Sequence, residues 1–243
     1  MILANVRHRL TRNDAQLALR LVARGDGAAL EEAERRLRDD GMDALLDDPR
    51  LLAGLLSAHQ AAHASFPLFA YVVVRHAMRN LGEDDRALAD YVAGVLVEFG
   101  AHGRATRVGD ADDEVYESVV ALAGDVDDPD ATRSLLVRAH LGNYALWLSG
   151  LFPDYIETRR WRRGGPDLGY YEDMGRRGFQ LAADHRLAER HGLAPLFAQA
   201  AERFPLLRMA LNQVSDRLFF PNQHTPERLM RQVSDEARWR FTH

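Results

Sequence analysis

His59 and His63 stand four residues apart, the spacing that puts two imidazoles on one face of a helix where they can share a metal ion. A zinc peptidase needs a glutamate base directly after the first histidine. Here Gln60 occupies that place, so the proton carrier of that reaction is missing. With His76, His140 or Glu98 supplied by neighbouring helices, the pair could hold zinc, iron or haem, since helical cores do build such sites. The alternative is ordinary surface or core histidines, and no motif specifies a cofactor. Asp39, Asp40 and Asp43 spell D-D-x-x-D, a magnesium and diphosphate motif when it projects from a helix into a cavity. Gly41 inside the motif marks a helix end instead, and the reading adopted is a turn of solvated aspartates.

Arg159, Arg160, Trp161, Arg162 and Arg163 form the densest basic cluster in the chain. Guanidinium forks bind phosphate and carboxylate in bidentate fashion, and an adjacent indole can stack on a base or sit at a membrane interface. The run also suits a helix C-terminus, where cations meet the negative end of the dipole. It is the candidate surface for an anion or a partner. A second constellation is His140, Asn143 and Tyr144 with Tyr171, Glu172 and His185. An imidazole, a carboxylate and phenols around one pocket would be equipped to bind a small molecule or move a proton. Packing is the competing account for the tyrosines, and for the glycines at 175 and 178.

These residues depend on helices to position them. Ser134 to Phe152, SLLVRAHLGNYALWLSGLF, is apolar most of the way round a helical wheel, the pattern of a helix covered on several sides. Asp128-Pro129 reads as its start and Pro153 as its end. His140, Asn143 and Ser149 within it require hydrogen-bond partners. Gly142, Ala145 and Gly150 remove bulk, which a close-packed neighbouring helix explains and a ligand pocket would also explain.

Composition narrows the chemistry. The 243 residues include no cysteine and no lysine, so all 31 basic side chains are arginine. Disulfides, thiolate metal sites, Schiff-base chemistry and the lysine of a phosphate-binding P-loop are all excluded. The formal net charge of −5 argues against general nucleic-acid binding. No stretch approaches the roughly 20 apolar residues of a membrane span, and the N-terminus lacks the apolar core of a signal peptide; the expected location is cytoplasmic.

Proline, glycine and Asp-Pro punctuation divides the chain into about ten helices, with no hairpin signal, predicting an all-α fold around the helix at 134–152. One helical domain over 1–220 is expected, with 101–113 as the place for any subdivision and 221–243 as a polar helical tail. Further expectations are a helix continuing from Asp48-Pro49 to Ala64, a helix rather than a strand through LFAYVVVRHAM, and a short acidic helix over 113–123.

The segments LFAYVVVRHAM, HLGNYALWLSGLFPDYIETR and GYYEDMGRRGFQLAADH resemble an uncharacterised, predicted-helical family of bacterial proteins over roughly residues 50–220. That resemblance implies a helical single domain and no catalytic residues. Two functional readings stand. The first is a non-catalytic binding or scaffold protein acting through a groove or the arginine surface on a protein or small anionic ligand, with a homodimer as one form. The second is a small-molecule, metal or haem binding protein, with or without enzymatic activity, whose pocket lies against the 134–152 helix.

Overall fold

The computed structural model describes residues 1–57, 63–102, 104–108, 114–116, 118–222 and 225–242. Among them the secondary structure is helical throughout, with fourteen α-helices and no strand. The excess over about ten comes from helices of four to seven residues, too short to show a period. By its contacts the chain divides into two compact units, Ile2–His102 and Gly103–His243.

The first unit contains α1 (Arg12–Ala23), α2 (Gly27–Asp40), α3 (Asp43–Leu46), α4 (Pro49–Leu55), α5 (Phe66–Asn80) and α6 (Arg86–His102). Local chemistry starts them. Thr11 and Asp14 form a reciprocal capping box on α1, and Asp48 caps α4 with Pro49 in its first turn. Helix α4 stops at Leu55, short of the expected Ala64, where the Ser57 hydroxyl donates to the Gly54 carbonyl at 2.8 Å. Residues 58–62 of that expectation lie outside the described ones. Val72, Val73 and Val74 are helical, as expected, and buried in α5. Arg75 on the same helix is fully buried, its Nε donating to Asp47 at 2.8 Å and its Nη2 to Asp84 at 2.5 Å.

The second unit contains α7 (Val119–Gly124), α8 (Ala131–Leu151), α9 (Pro153–Arg163), α10 (Leu168–Ala183), α11 (Arg186–Arg190), α12 (Ala194–Glu202), α13 (Phe204–Val214) and α14 (Pro226–Thr242). Two starts differ from expectation. Helix α8 is capped by Asp130, which accepts from the Arg133 amide at 2.8 Å; Asp128 instead accepts from the Asp130 amide and folds the preceding turn. Helix α7 begins at Val119 because the Ser118 side chain accepts from the Ala121 amide.

Helix α8 packs against α7, α9, α10, α11 and α13, and its buried residues fall on all sides. The glycines permit the closest approach. A Cβ on Gly178 of α10 would stand 2.6 Å from the Gly142 nitrogen, and one on Gly150 would stand 2.7 Å from the Cβ of Leu211. At the C-terminus of α8, free carbonyls are met from α13 and the turn after it: Asn212 Nδ2 donates to the Ser149 and Gly150 oxygens at 2.8 and 2.7 Å, and Ser215 Oγ to that of Leu151 at 2.7 Å. One π-helical turn, Ser215–Phe219, follows α13.

Candidate binding cleft

Arg208 interrupts the otherwise apolar start of α13, PLLRMAL, and the fold buries it. A buried guanidinium must have its charge met and its donors filled. Its Nε donates to Glu172 Oε1 at 2.6 Å, its Nη1 to Asn212 at 2.6 Å and to Asp235 at 3.0 Å, and its Nη2 to Asp235 at 2.5 Å. Burial works against the charge, but the bonds to Asp235 and Glu172 outweigh it and hold the guanidinium more firmly protonated than an exposed arginine. Through Asn212 the same cluster is anchored to the α8 carbonyls described above. Arg238 adds a second pair with Glu172, at 3.0 Å.

Above this floor lies a cleft of about 460 Å³, within the range of small-ligand sites. The C-terminal half of α9, the start of α10 and the length of α14 form its walls. Trp161, Leu168 and Met230 give it apolar surface; Arg160, Arg238, Glu157, Asp167 and Glu227 give it charge of both signs. Trp161 is 70% exposed and stacks under the Arg160 guanidinium, whose carbon lies 5.6 Å from the ring centroid. Arg160 also approaches Glu157 at 3.7 Å. Arg159, Arg162 and Arg163 are exposed on the same final turns, and Gly164 closes the helix in the left-handed conformation.

The cleft therefore gathers Arg160, Trp161 and Glu172 from the residues proposed on sequence grounds. The others lie elsewhere. His140 is buried in α8, its Nε2–H donating to the Ala105 carbonyl at 2.9 Å and its ring stacked with Tyr144 at 6.3 Å. Asn143 is buried beside them in the sequence. Tyr171 is buried edge-on to Tyr170, and burial raises its pKa while the charge of Arg159 opposes the rise. His185 caps α11, its Nδ1 accepting from the Leu187 amide at 3.2 Å.

In the first unit, His63 is exposed, and its proposed partner His59 lies outside the described residues. His76 is buried, with its Nε2–H on the Leu46 carbonyl at 3.1 Å, and Glu98 accepts from Arg9 at 2.9 Å. Among the described residues no three histidine, aspartate or glutamate side chains are grouped to hold a metal. Asp43 accepts from Arg7 at 2.8 Å, while Asp39 and Asp40 are exposed at the end of α2.

Sequence reasoning missed Arg208 and Asp235 of the floor, and the ion pairs that seat α14 beside it. Arg228 of α14 reaches Asp154 at 2.6 Å, and Arg231 reaches Asp216 at 2.7 Å. The available signal was the lone cation in PLLRMAL, which a buried helix cannot carry without a partner. Comparison of the chain with protein-family models, with curated proteins and with solved structures finds no match.

Proposed function

We propose that the protein is a non-catalytic helical binding protein, organised around the helix at 134–152, that takes an anionic group at the cleft rim through the Arg159–Arg163 turn. The observation that supports this is the division of labour between floor and rim. On the floor, Glu172 accepts from Arg208 and Arg238 and Asp235 accepts from Arg208, and a carboxylate clasped by guanidinium groups is poorly placed to abstract a substrate proton. Beside the floor, Arg160 and Trp161 line the cleft, and Arg159, Arg162 and Arg163 are exposed on the same last turns of the helix, with Glu157 beside Arg160. Guanidinium groups of that kind bind phosphate, sulfate or carboxylate without any bond being made.

The test is retention on sulfated-polysaccharide resin, compared with the variant Arg159→Gln/Arg160→Gln/Arg162→Gln/Arg163→Gln. The variant is expected to elute at clearly lower salt with an unchanged circular dichroism spectrum. Equal elution of the two proteins would remove the arginine turn from the binding function.

A further inference from the structure

Helix α14 packs the opposite way from an ordinary surface helix. Arg228, Arg231, Asp235 and Arg238 recur at three- and four-residue steps, and this charged face is turned to the rest of the unit, where it meets Asp154, Asp216, Arg208 and Glu172. On the opposite side of the wheel stand Leu229, Met230 and Val233, 52%, 69% and 64% exposed, with Ala237 one turn further on. Charge is inside and hydrocarbon is outside. The stripe is not isolated, because Met230 shares the cleft wall with Trp161 and Arg160; α9 also exposes Tyr155.

We infer that this face docks on the surface of an anionic lipid bilayer. The inference rests on the anion-binding reading above and names the source of the anion. Arginine, tryptophan, tyrosine and aliphatic side chains occur together where a helix lies in the headgroup region: the aliphatic groups enter the acyl boundary, the aromatic rings sit at the headgroups, and the guanidinium groups meet phosphate. Charge complementarity selects this occupant over a second copy of the chain, which would bring the same arginine turn to the rim. No helix among the described residues is long and apolar enough to cross a membrane, so the attachment is to the surface.

Neither element suffices by itself. Glu157, Asp167 and Glu227 line the cleft and Glu236 is exposed on α14, so the arginines act against nearby acid. Docking then needs both the stripe and the arginines, and each arginine near an anionic surface is worth roughly fivefold in partitioning.

The experiment is co-sedimentation of the full chain with vesicles of phosphatidylcholine alone and with about one-third phosphatidylglycerol, an anionic surface of the kind that attracts basic clusters. The wild type is expected to bind only the anionic vesicles, less at high salt, with a blue shift of tryptophan emission that Trp161→Phe diminishes. Leu229→Ser/Val233→Ser and Arg159→Gln/Arg162→Gln are each expected to lower partitioning at least about tenfold. Because Leu229 and Val233 face outward, their variant should keep its fold and its retention on sulfated resin. Retention on that resin without vesicle binding would overturn the membrane assignment and leave the anion-binding reading standing; loss of both would overturn both. A wild-type dimer that Leu229→Ser/Val233→Ser dissociates, with no vesicle binding, would assign the stripe to a second copy and overturn the inference.

Discussion

Arg208 holds Asp235 with both of its Nη nitrogens, at 3.0 and 2.5 Å, and this pair ties α14 to α13. Removing the cation leaves Glu172 and Asp235 facing one another without the charge that joins them. Arg208→Ala is expected to cost roughly 3–5 kcal/mol, the usual penalty for breaking a buried ion pair from one side. Urea unfolding measures it. A loss below about 1 kcal/mol, the scale of an exposed pair, would mean that water already reaches the cluster.

Gly178 faces the Gly142 backbone, which cannot rotate out of the way as a side chain can. Gly178→Ala is therefore expected to destabilise the second unit by about 1–3 kcal/mol as α8 and α10 are forced apart, although alanine is the better helix former. Thermal denaturation decides the sign. An increase in Tm would show that propensity outweighs contact at this crossing.

His76 in the first unit supplies a pH dependence. Burial lowers its pKa and the charges of Arg79 and Arg75 lower it further, against the Leu46 carbonyl and Asp47. The folded state thus keeps the ring neutral, while the unfolded chain takes up a proton near the ordinary value of about 6.5. The stability it contributes is present above that value and is lost as pH falls through the lower folded pKa. His185 in the second unit is shifted in the same direction, chiefly by burial. Unfolding free energies across the acid range should lose part of their slope in His76→Gln, and a further part in the double variant with His185→Gln.

Asp90 titrates with the opposite sign. It is buried, and burial raises its pKa despite the Arg7 amide donating to Oδ1 at 2.9 Å and the nearby Arg7 charge. Its contribution is fully present below the ordinary carboxylate value near 3.9 and is lost as pH rises through the folded pKa. Asp90→Asn retains an acceptor and cannot ionise. It is expected to be more stable than wild type at neutral pH, with the advantage shrinking toward pH 4; a constant difference across that range would assign the effect to packing.

The legible parts of the fold are those that local chemistry decides. Asp48-Pro49 and Ser65-Phe66-Pro67 each carry a complete helix start in three residues or fewer, and the structure begins helices at both. Asp128 and Asp130 compete for the same role two residues apart, and geometry alone separates them. Helices as short as Asp43–Leu46 contain about one turn, so no period exists to be read. For the cleft, the arginine turn and Glu172 were visible as residue types. The partner of Arg208 was not, because Asp235 lies 27 residues away and nothing local marks the pairing. The tetrapeptide QVSD occurs twice, at Gln213–Asp216 and Gln232–Asp235, and both of its aspartates receive arginine in this network.

The inverted packing of α14 also bears on how the helix responds to temperature. Burial of hydrocarbon gives protein unfolding its large heat capacity, and a helix that turns Leu229, Met230 and Val233 outward adds little to it. Ion-pair contacts follow a different course, because the desolvation cost of charged groups falls on warming. The attachment of α14 should accordingly gain on warming relative to the apolar contacts that hold α8 to α10 and, with Arg208, Arg228 and Arg231 buried, yield little to salt.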